Sequence, residues 1–77
     1  MRVTSIQLEI KDRCKEETLE NVLRLFERVP PSDIILLPEL WTCGFFSFER
    51  YWADSEPVDG PTVKAFPQKA SELNSFI

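Results

Sequence analysis

The sequence predicts an α/β fold in which a strand, a helix, a second strand, a loop and a further helix follow one another. Three observations predict it: an apolar–polar alternation over residues 3–10, a helical apolar stripe over 15–29, and an aliphatic run over 34–37. A strand, helix and strand in this order form a βαβ unit, in which the two strands are parallel. The apolar stripe of the helix would then cover one face of the sheet.

The first strand is predicted over residues 3–10. Apolar side chains at Ile6, Leu8 and Ile10 alternate with polar ones. A period of two is typical of a strand with one covered face. Three charged residues at 11–13 interrupt the pattern, and we expect them to form a surface connection.

The helix predicted next spans residues 15–29. Its apolar residues recur at the spacing of one helical stripe. They are Leu19, Val22, Leu23, Phe26 and Val29. Pro30 and Pro31 follow directly, and because neither ring can continue a helix, we expect the helix to end before them.

The aliphatic run 34–37 predicts a short central strand. An unbroken apolar run of this length is typical of a parallel strand that is buried on both faces. Pro38 has no N–H group for a sheet ladder, so the strand should end there. Glu39 would then lie at the carboxyl end of the strand, where open α/β folds bind their ligands. It is either a catalytic carboxylate or a glutamate that begins a solvated loop.

An aromatic stretch follows Glu39. It contains Trp41, Phe45, Phe46, Phe48, Tyr51 and Trp52. Large side chains could pin a long loop to the edge of the core, and we expect this for most of them. They could also form the wall of an apolar pocket beside Glu39, for which Trp41 and Phe45 are the candidates. Gly44 interrupts the stretch, and we expect a positive φ there.

The last third of the chain predicts an irregular acidic segment, a helix and the beginning of a strand. Residues 54–61 are acidic and end in a turn signal. Thr62 is the predicted cap of the helix. Pro67 either follows a short first turn and kinks the helix, which is favoured, or begins the regular part of the helix as a first-turn residue. Asn74 should end the helix in the left-handed conformation, and residues 75–77 resemble the opening of another strand.

Composition excludes several classes of function. The chain has 77 residues, a net charge of −4 and no histidine, which argues against nucleic acid and anionic membrane surfaces as partners. We see no metal-ligand spacing, glycine-rich phosphate loop, membrane span or signal peptide. Cys14 and Cys43 make no disulfide framework, and a reducing, cytoplasmic setting is expected. Cys43 is either a nucleophile or buried filler, and Cys14 is interpreted as structural.

The order of these segments resembles the amino-terminal part of the nitrilase, or carbon–nitrogen hydrolase, superfamily. The most specific part is Leu-Pro-Glu-Leu-Trp-x-x-Gly-Phe, residues 37–45, and Gly-Pro-Thr at 60–62 opens a second helix. The resemblance covers the whole chain and is closest to the amidase-like branches, including the ω-amidases. It implies an αββα sandwich, of which residues 1–77 would be a truncated amino-terminal part of a single domain.

The resemblance also implies a chemistry. The family hydrolyses carbon–nitrogen bonds with a Glu-Lys-Cys triad and without a metal or organic cofactor, and by this similarity Glu39 is the general base. The substrate would be a small-molecule amide, and the full-length form would be a homo-oligomer. No lysine here matches the triad lysine, and neither Cys14 nor Cys43 occupies the nucleophile's position. The chain alone is therefore expected to be inactive.

Two functions remain open from the sequence. In the first, the chain is part of a thiol amidohydrolase that is complete only with further sequence. In the second, it is a short non-catalytic α/β module that uses the aromatic loop for binding or interaction. The first is favoured because a free-standing core of this size is marginal and because the loop and carboxylate suit a site.

Overall fold

The computed structural model of the protein describes residues 1–9, 14–44 and 46–77. In chain order the elements are strand β1 (Val3–Ser5), helix α1 (Lys15–Phe26), strand β2 (Ile34–Leu36), a 3₁₀ turn (Phe48–Arg50) and helices α2 (Tyr51–Asp54), α3 (Pro61–Lys64) and α4 (Phe66–Leu73). This order contains the predicted βαβ unit and confirms the α/β class.

The strands are parallel, as predicted. β1 pairs with β2 in a register that places Val3 beside Ile34. On the other edge of β2, Ile34 forms a parallel bridge with Phe76, so residues 75–77 do open towards a third strand. β1 is shorter than the predicted 3–10, although the amide of Ile6 still donates to the Leu36 carbonyl at 2.9 Å. The predicted end of this strand, Ile10, lies outside the described residues.

The core lies on one face of the sheet. Its buried cluster consists of Ile6, Val22, Phe26 and Ile35. Helix α1 supplies Val22 and Phe26, and α4 adds Phe66 and Leu73 at the margin of the same cluster.

Burial of β2 on both faces was predicted, and for the described chain this is wrong. Ile35 is 1% exposed, whereas its neighbour Leu36 is 50% exposed, as is Val3 on β1. Successive side chains of a strand point to opposite faces, so these exposures describe one covered face and one open face. The reason is that α1 and α4 both contribute to the one cluster, and no described element lies over the other face.

Helix α1 ends at Phe26, three residues before the predicted end at Val29. The amides of residues 27–29 donate to carbonyls three residues back, at 2.9–3.3 Å. This is the tighter bonding of a terminal 3₁₀ turn. The residue before a proline is biased away from helical dihedrals, so Val29, which precedes Pro30, is a poor place to continue the helix.

The carboxylate of Glu56, rather than Thr62, caps helix α3. Gly60 occupies the N-cap position and Pro61 the first helical position. The Thr62 amide donates to Glu56 Oε1 at 2.8 Å, and the Thr62 hydroxyl donates to Glu56 Oε2. Thr62 therefore lies inside the first turn, and its predicted role as the cap residue is wrong. The carboxylate accepts one of the amides that every helix start leaves unpaired.

The break predicted near Pro67 is present. Helix α3 stops at Lys64, and α4 begins at Phe66 with Pro67 in its first turn. A proline in the first turn loses no intrahelical hydrogen bond, which is why the chain restarts a helix there. α4 ends at Asn74, whose φ of 50° is the predicted left-handed conformation.

Lys15 joins Glu56 and Thr62 in a small polar cluster, which we call the Glu56 cluster. The ammonium of Lys15 lies 2.9 Å from Glu56 Oε2 and donates to the Asp54 carbonyl at 3.1 Å. Both charged side chains are 14% exposed. Hydrogen bonds from Thr62, followed by those from Lys15, lower the pKa of Glu56 from 4.5 to about 2. The cluster thereby ties the start of α1 to α2 and α3.

No helix within residues 1–9, 14–44 and 46–77 is long and apolar enough to cross a lipid bilayer.

Replacement of the buried ring of Phe26 should be strongly destabilising. We expect Phe26→Ala to lower the free energy of unfolding by about 3–5 kcal/mol, because it removes a fully buried ring and leaves a cavity. Phe46→Ala is the matched control: Phe46 is 81% exposed, and its loss should cost below about 1 kcal/mol. Urea unfolding of both variants measures the difference, and equal costs would contradict the assigned core.

The Glu56 cluster should make stability depend on pH. A carboxyl whose pKa is lower in the folded state stabilises the protein above its unfolded pKa, and that stabilisation is lost as the pH falls through the folded value. The stability difference between wild type and Glu56→Gln should therefore be full above pH 4.5 and shrink towards pH 2. Urea unfolding across this range measures it. A difference that stays constant with pH would show that the ionised carboxylate is not what stabilises the fold.

Candidate functional site

The candidate site is the turn that follows β2. Strand β2 ends at Leu36, one residue short of the predicted run 34–37, and Pro38 follows. Glu39 and Leu40 begin a turn, and both side chains are exposed. The Leu40 carbonyl accepts hydrogen bonds from the amides of Cys43, at 3.3 Å, and Gly44, at 2.8 Å. These bonds close the turn and hold Glu39 at the carboxyl end of a parallel strand, which is the edge where the sequence predicted it.

The backbone of this turn is strained at Leu40. Its φ is 55°, in the left-handed region that costs a non-glycine residue about 1–2 kcal/mol. Gly44 has a φ of 86°, so the positive φ predicted there is confirmed. Residues in such conformations persist only where the surrounding structure fixes them, and they cluster at functional sites. The strained residue, Leu40, directly follows Glu39 in the chain.

Trp41 anchors the turn to the core. It is half-buried, it packs against the core cluster, and its ring lies 6.0 Å from that of Phe66 on α4. Phe66 in turn makes an edge contact with Phe26 at 5.7 Å. This is the predicted packing at the core edge. The second role considered for Trp41, as a pocket wall, stays a prediction, and Phe45 lies outside the described residues.

The other aromatic residues do not pack on the core edge. Phe46 is 81% and Trp52 91% exposed. Phe48 is also exposed, and its ring makes edge contacts with Phe46 at 6.4 Å and with Tyr51 at 5.5 Å. The predicted long loop contains a 3₁₀ turn and helix α2, which direct these rings towards solvent and each other. The core-edge interpretation is therefore wrong for Phe46, Phe48 and Trp52.

Tyr51 is a site neighbour that the sequence interpretation did not single out. Its pKa is raised by partial burial and then by Cys43, Glu39 and Glu49. Tyr51 therefore lies within electrostatic reach of both Glu39 and Cys43. No spacing rule could have found this, because the irregular turn between residues 39 and 51 has no fixed period.

The two cysteines differ in environment. Cys43 is buried, and its thiol lies 3.7 Å from the Gly44 carbonyl as a weak donor, which fits the filler interpretation. Cys14 is exposed, and its carbonyl accepts the amide and hydroxyl of Thr18 at the start of α1. Among the described residues, no three metal-binding side chains are grouped closely enough to hold an ion.

One groove of the described chain lies away from Glu39. It has a volume of about 850 Å³ and is lined by Val63 of α3, by α4, by the end of the chain and by Asp33, which precedes β2. The turn after β2 presents an exposed carboxylate, that of Glu39. Chemically, such a carboxylate can accept a proton from a group brought to it, but the described residues around it complete no catalytic set.

The comparisons with known proteins identify the family. The family model for carbon–nitrogen hydrolases matches residues 2–77. No curated protein and no solved structure matches the chain. The match spans both strands, the turn that carries Glu39 and all of the helices. The chain belongs to the carbon–nitrogen hydrolase family.

Proposed function

We propose that the chain is the amino-terminal part of a single amidase domain that hydrolyses a small carboxamide, as the ω-amidases do. Glu39 is its general base. The observation that carries the proposal is an exposed carboxylate held by a strained turn at the carboxyl end of a parallel strand, in a chain of this family.

In the proposed reaction, Glu39 takes the proton from a cysteine thiol. The thiolate attacks the amide carbon, and a lysine stabilises the negative charge on the amide oxygen. The carbon–nitrogen bond then breaks, Glu39 returns the proton to the leaving nitrogen, and ammonia departs from a thioester. Water attacks the thioester carbon and gives a proton to Glu39. The carbon–sulfur bond then breaks to release the carboxylic acid, and Glu39 returns the proton to the cysteine sulfur.

The triad lysine and cysteine are proposed to lie in sequence beyond Ile77. Cys43 is buried in the turn itself, which is a poor position for an attack on a substrate. Lys15 is occupied by Glu56 and the Asp54 carbonyl. Residues 1–77 alone are therefore proposed to be inactive.

The open face of the sheet supports the proposed αββα sandwich. Val3 and Leu36 are each half exposed there, and a second sheet packed over them would bury both. The unbroken aliphatic run of β2 would then be covered on both sides, as its sequence predicts. We further propose a cytoplasmic protein that is a homo-oligomer in its full-length form and needs no cofactor.

The first test is to read the source gene past codon 77. We expect it to continue in frame and to supply a lysine and then a cysteine after later strands, because the triad needs both. A stop codon after Ile77 would contradict the proposal and leave the non-catalytic binding module, in which the exposed Phe46 and Trp52 become the contact surface.

In the protein expressed from the complete reading frame, Glu39→Gln should lower kcat for small carboxamides by about 10²–10⁴-fold. The amide side chain keeps the size of the carboxylate but cannot accept the thiol proton. Thermal unfolding should change little, since Glu39 is exposed. Glu17→Gln, which removes an exposed carboxylate on α1, is the control and should keep full turnover. Retained turnover in Glu39→Gln would rule out the assigned base.

A further inference from the structure

The Glu56 cluster joins the start of α1 to α2 and α3, which lie much later in the chain. Its carboxylate accepts the Thr62 amide and hydroxyl from α3 and lies 2.9 Å from the Lys15 ammonium at the start of α1. The same ammonium donates to the carbonyl of Asp54, the last residue of α2. Charge-assisted hydrogen bonds of this kind fix geometry more strongly than neutral ones.

Gly60 leaves the space that the Glu56 carboxylate occupies. A Cβ at this position would lie 2.6 Å from Glu56 Oε1 and 2.9 Å from Glu56 Cβ. The φ of Gly60 is −72°, which any residue can adopt, so the glycine is required by this close approach and not by its backbone. The conformation of Glu56 thus depends on three other positions of the chain: Lys15, Gly60 and Thr62.

The cluster holds the segment that carries Tyr51. Tyr51 begins α2, a helix of one turn. The Asp54 carbonyl at its other end accepts the hydrogen bond from the Lys15 ammonium. Helix α2 is too short to hold its own position by backbone bonding. The Ser47 amide donates to the Gly44 carbonyl at 3.3 Å, which joins this segment to the turn that carries Glu39, and the Tyr51 ring contacts that of Phe48 at 5.5 Å.

We propose that Glu56 is a positioning residue of the hydrolase site. Held by Lys15 and Thr62, it fixes residues 48–56 so that Tyr51 stays beside the turn that carries Glu39. This proposal rests on the proposed function, since it assigns the Glu56 cluster to the same site. Residues 48–56 follow this turn in the chain and do not include Glu39, so we expect their displacement to weaken substrate binding more than proton transfer.

The test is Glu56→Gln in the protein expressed from the complete reading frame, with two measurements. The first is the steady-state kinetics for a small carboxamide, in which we expect KM to rise about tenfold and kcat to change less than about threefold. The second is the titration of Tyr51 by ¹³C-tyrosine NMR, with its resonance assigned from Tyr51→Phe. We expect the Tyr51 pKa to fall towards its ordinary value of 10.0, because the side chain leaves its partly buried place near Glu39.

Glu72→Gln is the matched control. Glu72 is also a carboxylate with a nearby lysine, Lys69 at 3.3 Å, and a hydrogen bond from Gln68 at 3.0 Å, but it belongs to α4. A purely structural loss of one ion pair would move unfolding temperatures alone, so KM and the Tyr51 titration should stay unchanged in this variant.

Thr62→Val is the second variant, because it removes one donor to Glu56 and leaves the charge in place. We expect a smaller shift of KM and of the Tyr51 titration in the same direction, and this variant carries the test if Glu56→Gln fails to fold. An unchanged KM and an unchanged Tyr51 titration in the folded variant would overturn the proposal. The Tyr51 titration does not depend on catalysis, so an unchanged titration argues against the role of Glu56 alone. Retained activity in Glu39→Gln would instead overturn the proposed function.

Discussion

The position of β2 between its two neighbours is the constraint on which the candidate site depends. It pairs with β1 on one side and bridges to Phe76 on the other, while Ile35 belongs to the buried cluster that α1 completes. Pro38 ends this strand because it cannot donate to a ladder. Glu39 therefore follows a strand that is fixed on both edges and from one face. The pairing and burial of β2 thus both stabilise the core and place the carboxylate of Glu39.

The turn after β2 is held from two sides. Trp41 packs against Phe66 on α4, which secures the turn from the core. The Glu56 cluster secures the following segment from the start of α1. Leu40, which directly precedes Trp41, keeps a left-handed conformation that its side chain disfavours. Such strain persists only where neighbouring contacts fix it, and both sets of contacts come from elements distant in sequence.

The sequence interpretation failed where packing partners or irregular backbone decided the outcome. The aliphatic run of β2 was expected to be buried on both faces of the sheet. Leu36 is exposed because α1 and α4 pack on the same face. Phe48 and Trp52 were expected at the core edge, and short helices turn them outward. Thr62 was expected to cap its own helix, but the carboxylate of Glu56, six residues earlier, accepts the Thr62 amide at the start of the helix. None of these outcomes follows from local spacing.

The sequence by itself determined the class of the fold, the parallel βαβ order, the end of β2 before Pro38 and the left-handed residues Gly44 and Asn74. Each of these follows from local chemistry: side-chain period, the missing amide of proline, and the freedom of glycine and asparagine at positive φ. Only the tertiary structure decided which face of the sheet is covered, that Tyr51 lies near Glu39, and that Lys15 meets Glu56. These depend on contacts between residues 12 to 41 positions apart, which no local pattern encodes.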